Sequence, residues 1–379
     1  MEILGLRHRV SGVNSCFSGK GLSFADYVRD TQAMLWQHHD GKNDQEDIVA
    51  GNTPFELLPP GDFEKGRDKP YQRGVLLTHG LSDSPYHMRH LAEFFQRNGF
   101  RVMAILLPGH GTRPGDLLDV GWHEWAKTVA YGADRLYEEV DELYLAGFSA
   151  GAALSVFHAA HDDRVRGLFL FSPALEITSL AKWANLHKLY SWLLPKAAWV
   201  SNMQDRDLYK YESFCKNAAA QMYKLTQALS KGDVVIPVFA VASADDATVN
   251  PAATLNFMRR ARHQCSKLVW YSTAKIEQEN IEWVDSAVPE KRILSSAHTA
   301  IVMSPEDAHY GANGGYANCL HYYDEDGERY KACMSRPGEV WWGEVSERNL
   351  ERGLLRRLMY NPHYAAMEAS MQKFIQGLP

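Results

Sequence analysis

The stretch "LAGFSAGAALSVF", residues 145–157, sets one polar serine between two glycines at the point where one apolar run gives way to another. A short apolar run that ends in glycine is typical of a buried strand, and the small residues behind it are typical of a helix. Glycines beside the serine allow a tight turn that larger side chains would block. We therefore predict that Ser149 is a nucleophile exposed at a strand-to-helix turn. The alternative is a helix-capping serine whose glycine neighbours only assist packing.

The sequence around this turn alternates between apolar runs and amphipathic stretches. Strand-like runs occupy residues 74–80, 100–111, 142–148, 166–175, 233–246, 266–272 and 290–299. Helix-like patterns occupy residues 24–39, 84–99, 122–140, 149–161, 251–263 and 362–378. Continuous apolar strands that alternate with helices predict an α/β fold, in which a mostly parallel sheet is flanked by helices on both faces.

Three segments depart from that alternation. Residues 1–70 form a polar lead-in, which we predict to be an N-terminal extension of a domain that spans residues 71–379. A helical cap is predicted at about residues 174–231, where apolar residues recur at helical spacing: Trp183, Leu186, Leu189 and Leu193, then Phe214, Ala218, Met222, Leu225 and Leu229. These stripes pack the cap onto the body, or line an acyl pocket, or do both. Residues 305–358 predict a late, irregular insertion.

The composition excludes several classes of protein. The chain has 379 residues, 45% of them hydrophobic, which is enough for a large core. Its formal net charge of −6 argues against a nucleic-acid partner. No apolar run approaches the roughly 18 residues that a transmembrane helix needs. The N-terminus lacks the apolar core of a secretory leader, so a cytoplasmic location is expected, with the periplasm or cell envelope as the alternative if a leader has been removed.

Two of the five cysteines lie in the late insertion, in "CLHYYDEDGERYKAC" at residues 319–333. We predict a hairpin here, with its loop at residues 325–327, because glycine suits the left-handed position of a three-residue loop. Counting outward from that loop sets Cys319 opposite Cys333. The two sulfurs are then neighbours, and a bond between them would weigh against a cytoplasmic location.

A serine hydroxyl needs a base to take its proton, and the base needs a group that holds its orientation. His298 follows a strand-like run, whereas the other downstream histidines lie in predicted helices or in the late insertion. We therefore predict that His298 is the base. The run at 233–246 ends in Asp245 and Asp246, and one of these adjacent carboxylates is expected to reach His298. The chain order serine, aspartate, histidine on separate strand ends is that of an α/β-hydrolase triad.

A tetrahedral intermediate also requires two N–H donors at its oxyanion. We predict Ala150, directly after the nucleophile, and Leu81, in the loop after the first regular strand. Metal binding is the competing interpretation of other residues. His87 and His90 have the spacing H-x-x-H, and His38 and His39 are adjacent, but no partner set of acids or cysteines accompanies either pair.

These residues resemble the α/β-hydrolase superfamily, in particular its serine esterases: monoacylglycerol lipases, lysophospholipases and bacterial carboxylesterases. The resemblance is carried by "LLTHGLSDSPYHMRHLAEFF", "LPGHG", "LAGFSAG", "SADDATVNP" and "SSAHT", and it extends over about residues 73–300. In that family the acid stands three residues after a glycine and three before a valine. The matching positions are Ser243, Asp246 and Val249, so the resemblance favours Asp246, although serine replaces the glycine. It also implies oxyanion donors at Leu81 and Ala150.

Together these observations predict a serine hydrolase of carboxylic esters that needs no cofactor. The catalytic residues are Ser149, Asp246 and His298, and the substrate is a small ester with an apolar acyl group, of the monoglyceride or lysophospholipid type. An acyltransferase, thioesterase or peptidase with the same triad is the alternative, since one scaffold serves many reactions. A non-catalytic binding protein would be expected to lack a member of the triad.

Overall fold

Strands and helices follow one another along most of the chain, as the alternating apolar and amphipathic stretches predict. The computed structural model describes residues 4–14, 16–19, 21–61, 65–177 and 195–379. Within them the strands are β1 (Phe55–Leu57), β2 (Tyr71–Thr78), β3 (Phe100–Ile105), β4 (Val140–Phe148), β5 (Val165–Phe171), β6 (Trp199–Ser201), β7 (Phe214–Cys215), β8 (Val238–Ser243), β9 (Lys267–Tyr271), β10 (Ile281–Val284), β11 (Trp341–Gly343) and β12 (Leu355–Arg357). The α-helices are α1 (Phe24–His38), α2 (Gln45–Asn52), α3 (Arg89–Arg97), α4 (Trp122–Glu139), α5 (Ala150–Ala159), α6 (Lys216–Ala228), α7 (Pro251–Met258), α8 (Gly327–Ser335), α9 (Glu347–Leu350) and α10 (Tyr364–Gln376).

The chain forms two compact units, of which the first contains Met1–Phe169 and Glu176–Lys231. Here β2 pairs in parallel with β3 on one side and with β4 on the other. The short strand β1 pairs antiparallel with β3. Every residue of β3 is buried, as expected for a strand covered on both faces. Helices α3, α4 and α5 pack against these strands and supply that cover.

The second unit contains Leu170–Leu175 and Gly232–Pro379, so β5 ends inside it. Its strands β8, β9 and β10 pair in parallel, with α7 against β8 and α10 against β9. The late segment adds a small two-stranded parallel sheet, in which β11 pairs with β12. In both units, parallel strands flanked by helices make up the predicted α/β fold, while β6 with β7 and β11 with β12 form separate two-stranded sheets.

One predicted strand is wrong. Residues 290–299 contain the end of a 3-10 turn, Pro289–Lys291, two isolated bridges at Ile293 and the start of the 3-10 turn His298–Ala300. Pro289 cannot donate a backbone hydrogen bond, and Arg292 has φ 56°, in the left-handed region. Both features interrupt strand pairing at this point. The strand of this region is β10, which the sequence pattern did not indicate, and α2 and β1 were likewise missed in the first 70 residues.

The predicted hairpin at 319–333 is also wrong, although its cysteines do pair. Residues Gly327–Ser335 form helix α8, because the Asp326 side chain accepts a hydrogen bond from the Arg329 N–H and caps the helix. Cys319 and Cys333 nevertheless form a disulfide, with their Cα atoms 6.1 Å apart. The helix brings Cys333 back to Cys319 in place of a second strand.

The predicted cap is described only in part. Its first apolar stripe, from Trp183 to Leu193, lies outside the described residues. Three residues of the second stripe, Ala218, Met222 and Leu225, are buried on α6, which packs against α4 and α5, while Phe214 belongs to β7 and Leu229 follows the helix. That packing accounts for the stripe as part of the core. The boundaries of the extension, cap and insertion stay predictions. In the described parts of the chain, no helix is long and apolar enough to cross a membrane.

Candidate active site

Ser149 occupies a sharp turn between β4 and α5. Its backbone angles are φ 53° and ψ −110°, a conformation that residues other than glycine rarely adopt. Such a conformation carries a strain of about 1–3 kcal/mol, which the surrounding structure must offset. Helix α5 begins at the next residue, Ala150, so the serine stands at the N-terminus of a ten-residue helix. The free N–H groups and the dipole of that end favour negative charge.

Two glycines make this turn possible. A Cβ atom at Gly147 would lie 2.3 Å from the backbone carbonyl of Gly151. A Cβ atom at Gly151 would lie 2.0 Å from the carbonyl oxygen of Thr78. Both distances are far below any real Cβ contact, so no other residue fits at either position. The close approach of Gly151 also sets the serine turn directly against the end of β2, where the loop that carries Leu81 begins.

The loop that carries Leu81 is held by buried polar contacts. The Ser82 N–H donates to His110 Nε2 at 3.0 Å, and the Tyr211 N–H donates to the Ser82 carbonyl at 2.8 Å. Lys210, next to Tyr211, pairs with the buried carboxylate of Asp83. These contacts fix the backbone on both sides of Ser82, which has φ 65°. The motif "LPGHG" therefore has a structural role through His110, which sequence reasoning did not assign.

Both histidines near this loop must be neutral to make their contacts. His79 Nε2 accepts from the Leu107 N–H, and His110 Nε2 accepts from the Ser82 N–H. Burial lowers the pKa of His110 to about 4, with hydrogen bonds to the Pro108 and Leu107 carbonyls opposing the shift. Each ring then carries its proton on Nδ1, where a backbone carbonyl accepts it.

Asp246 and His298 form a buried pair in the second unit. Asp246 Oδ2 lies 2.6 Å from His298 Nδ1, and the two side chains are 2% and 5% exposed. Asp246 Oδ1 accepts from the N–H groups of Thr248 and Val249 at 2.8 and 3.0 Å. Burial acts to raise the pKa of Asp246, but the charge of His298 and these hydrogen bonds outweigh it and lower the pKa. An ionised carboxylate on Nδ1 is the arrangement that orients an imidazole as a base.

The adjacent carboxylate points elsewhere. Asp245 Oδ2 accepts from the Ser286 hydroxyl at 3.0 Å, and the Asp245 N–H donates to the Ser243 hydroxyl. Burial raises the pKa of Asp245, and the hydrogen bond from Ser286 only partly opposes this. Of the two candidates for the acid, the geometry pairs Asp246 with His298. Ser243 stands where the family has glycine, and its hydroxyl serves the neighbouring turn.

The backbone of His298 has two further partners. Its N–H donates to Glu344 Oε2 at 3.0 Å, and its carbonyl accepts from the Ser172 hydroxyl at 3.3 Å. Glu344 is fully buried and belongs to the late segment, so that segment touches the histidine loop. Sequence reasoning missed Glu344, because nothing in its local pattern distinguishes it from a surface glutamate.

The histidine pairs considered as metal ligands have other contacts. His39 Nε2 lies 2.8 Å from the Gly111 carbonyl oxygen, and its Nδ1 lies 2.9 Å from Lys42 Nζ. His87 is buried, with Nε2 3.9 Å from Asp83 Oδ1. These contacts account for His39 and His87 as parts of the packed first unit.

Comparison with known proteins yields relatives that are named as a lipase and as an esterase. Over 139 residues the chain is 30% identical to the thermostable monoacylglycerol lipase of Bacillus sp. (strain H-257), covering 37% of this chain and 51% of that lipase. Over 228 residues it is 22% identical to the carboxylesterase of Bacillus subtilis (strain 168), covering 57% and 88%. The chain thus spans about half the length of the first of these relatives.

A solved structure and a protein family also match this chain. A structure from the work on LipS and LipT, two metagenome-derived lipolytic enzymes, is similar with a TM-score of 0.48 and 23% identity, covering 58% of this chain and 87% of that one. Residues 69–275, more than half of the chain, match the family of serine aminopeptidase, S33. This match contains β2 to β9 and confirms the resemblance to α/β-hydrolases. The chain therefore belongs to the serine aminopeptidase S33 family and has the α/β-hydrolase fold.

Proposed function

We propose that this protein is a carboxylic-ester hydrolase that works through Ser149, His298 and Asp246. The Ser149 hydroxyl attacks the acyl carbonyl while His298 takes its proton. His298 then gives that proton to the leaving alcohol, and Asp246 stabilises the imidazolium through Nδ1. Water, activated by the same imidazole, cleaves the acyl-enzyme and restores the serine. The reaction requires no cofactor.

The backbone conformation at Ser149 supports the proposal most strongly. A capping serine has no need of a positive φ, because an ordinary extended conformation already lets its hydroxyl reach the helix N-terminus. Ser149 instead has φ 53°, and its side chain caps no N–H of α5. Strain of this kind persists where it serves a function, and here it sets the Ser149 hydroxyl at the turn between β4 and α5.

Stabilisation of the oxyanion is assigned to the N–H groups of Ala150 and Leu81. The Ala150 N–H opens α5 beside the nucleophile, where the helix dipole adds to the hydrogen bond. The loop of Leu81 starts against the serine turn, and the contacts of Ser82 hold its backbone. Backbone donors fixed in advance stabilise the transition state without reorganisation.

The proposed substrates are esters with an apolar acyl group, such as monoglycerides or lysophospholipids. The names of the monoacylglycerol lipase and the carboxylesterase support this class. A peptidase is the second candidate, since the family is described by a serine aminopeptidase. The same triad cleaves amides when the leaving amine is protonated, so the triad alone does not separate the two reactions.

A panel of substrates tests the proposal. We expect hydrolysis of p-nitrophenyl esters of graded chain length and of monoglycerides, with kcat/KM well above that for aminoacyl amides. Ser149→Ala is expected to lose at least about 10⁴-fold in kcat, with Ser155→Ala, a serine inside α5, as the matched control. Faster cleavage of the aminoacyl amides would favour the peptidase. Ester hydrolysis that persists in Ser149→Ala would refute the assignment of the nucleophile.

A further inference from the structure

The late segment 305–358 places a fully buried glutamate against the histidine loop. Glu344 Oε2 accepts from the His298 N–H at 3.0 Å, while Oε1 accepts from the Val345 N–H at 2.8 Å. The backbone of Glu344 is tied to the same loop, because its N–H donates to the Ser295 hydroxyl at 3.0 Å. A buried carboxylate is costly unless a cation and hydrogen bonds compensate it. A cation is therefore expected beside the Glu344 carboxylate.

Arg357 is that cation, and it reaches a second loop as well. Its Nε lies 2.8 Å from Glu344 Oε1, and its Nη2 donates to Glu344 Oε2 at 3.0 Å. The same Nη2 lies 2.6 Å from the hydroxyl of Thr248, whose backbone N–H donates to Asp246. Arg357 and Gly343 are opposite each other in the pairing of β11 with β12, which sets the arginine beside Glu344.

These contacts close a ring around the acid and the base. Asp246 bonds His298 through its side chain, and the His298 backbone bonds Glu344. Glu344 pairs with Arg357, Arg357 bonds Thr248, and Thr248 returns to Asp246. The loop that carries Asp246 is thereby held by His298 and, through Thr248, by Arg357. The loop that carries His298 is held by Asp246 and by Glu344.

We propose that the Glu344–Arg357 ion pair positions His298 and Asp246 for catalysis, so that the late segment is a working part of the active site. This inference rests on the proposed function. The pair holds the His298 backbone through Glu344 and the Asp246 turn through Arg357. Because the two charges oppose each other, the pair fixes geometry while adding little net field at the imidazole. Loss of either member alone therefore changes the field with a defined sign.

The charged and titratable groups that face the pair from other elements stay unchanged when one of its members is replaced. They are Asp245, Asp246, Tyr316 and His321. In Glu344→Gln the arginine is left without its partner, which disfavours the imidazolium. In Arg357→Met the glutamate is left without its partner, which favours the imidazolium. The acid limb of the pH–rate profile should move to lower pH in the first variant and to higher pH in the second.

The experiment measures kcat, KM and the pH profile for ester hydrolysis, and follows the His298 imidazole titration by NMR with labelled histidine. The two variants should lose roughly 10- to 100-fold in kcat with little change in KM, and their acid limbs should shift in opposite directions by about 0.5–1 pH unit. Glu339→Gln, which removes an exposed ion pair of the same segment, should match the wild type. The NMR resonance of His298 is assigned by its loss in His298→Gln.

A second pair of variants, at Thr248, leaves both buried charges in place. It tests the inference if loss of a buried charge prevents folding. Thr248 is exposed, so Thr248→Val removes only the acceptor of Arg357 and should lower kcat by roughly two- to fivefold without moving the acid limb. Thr248→Ser keeps the hydroxyl and should restore kcat. The inference is overturned if all these variants keep the kcat, pH profile and imidazole titration of the wild type. Activity that does not depend on Ser149 would instead refute the proposed function, while the NMR titration still tests the ring.

Discussion

The carboxylate of Asp246 and the imidazole of His298 act as one buried unit, joined at 2.6 Å across 52 residues of sequence. Three backbone and side-chain donors, from Thr248, Val249 and His298, surround the carboxylate and keep it ionised. An ionised carboxylate here fixes the imidazole tautomer with its proton on Nδ1. The preceding residue, Asp245, is also a carboxylic acid but contacts Ser286 in place of His298, so it is a natural control.

Replacement of Asp246 should reveal this difference. Asp246→Asn keeps the size of the side chain but presents an amide to Nδ1, which favours the wrong tautomer, and kcat for ester hydrolysis should fall by about 10³–10⁴-fold. Asp245→Asn should stay within about threefold of the wild type. Steady-state kinetics on one ester, with circular dichroism to verify folding, make the comparison. Equal losses in the two variants would contradict the assignment of Asp246.

The glycine at 151 should tolerate no side chain. Gly151→Ala places a Cβ 2.0 Å from the Thr78 carbonyl oxygen, so the serine turn and the end of β2 must separate. We expect a loss of about 1–3 kcal/mol in the free energy of unfolding, together with a loss of activity. Denaturant unfolding measures the first effect and ester hydrolysis the second. Gly315→Ala is the control, since a Cβ there meets nothing within 4 Å.

His110 should make stability depend on pH. Burial lowers its pKa to about 4 from an ordinary value of 6.5, so below pH 6.5 the unfolded chain gains a proton that the folded protein does not. The stability that His110 contributes is thus present above pH 6.5 and is lost as pH falls towards 4. His110→Gln should make the slope of unfolding free energy shallower by up to about 1.4 kcal/mol per pH unit in this window.

The control for that slope is an exposed histidine on α4. His123→Gln should leave the dependence of unfolding free energy on pH as it is in the wild type, since the His123 side chain is exposed. Urea unfolding at several pH values between 4 and 7 gives both slopes. If His110→Gln keeps the wild-type slope of unfolding free energy against pH, the His110 ring is not held neutral by its contact with Ser82.

The disulfide should stabilise the late segment. Cys319 and Cys333 are 14 residues apart, and closing a loop of that size is worth about 3 kcal/mol. Replacing both with serine should lower the free energy of unfolding by about that amount under oxidising conditions. Cys16→Ser, at an exposed free cysteine, should change little. Under reducing conditions the wild type should lose this advantage and unfold with the same free energy as the double-serine variant.

The same bond bears on where the protein works. Structural disulfides persist in oxidising compartments, so a bond that is present in the cell would weigh against the expected cytoplasmic location. Thiol alkylation of protein trapped directly from cells tests this. Three alkylated cysteines indicate the bonded form, because Cys16, Cys215 and Cys265 are free.

Sequence patterns predicted the elements whose residues are compatible with one conformation only. Strands β2, β4 and β8 each contain an uninterrupted run of buried residues, and the turn at Ser149 is fixed by glycines that nothing larger can replace. The hairpin at 319–333 failed because Asp326 suits a helix cap as well as a loop, and only tertiary packing decides between them. The predicted strand at 290–299 is wrong because Pro289 and Arg292, whose backbone is in the left-handed region, interrupt strand pairing.

The ring of contacts around Asp246 and His298 could not be predicted at all. Glu344 reaches His298 across 46 residues, and Arg357 reaches Thr248 across 109. No periodicity or motif records pairings over such distances, and a charged residue in an irregular segment is usually a solvated one. The sequence does indicate Ser149 and Asp246, which follow strands β4 and β8, whereas His298 was chosen from a predicted strand that the structure does not contain.

Mapping the covalent adduct of a fluorophosphonate tests the central claim most directly. The probe reacts with an activated serine, so mass spectrometry of the digested protein should find it on the peptide that contains Ser149. The rate of labelling should fall by at least about 10³-fold in His298→Ala, because the hydroxyl then has no base. An adduct on another residue, or labelling at the wild-type rate without His298, would contradict the account.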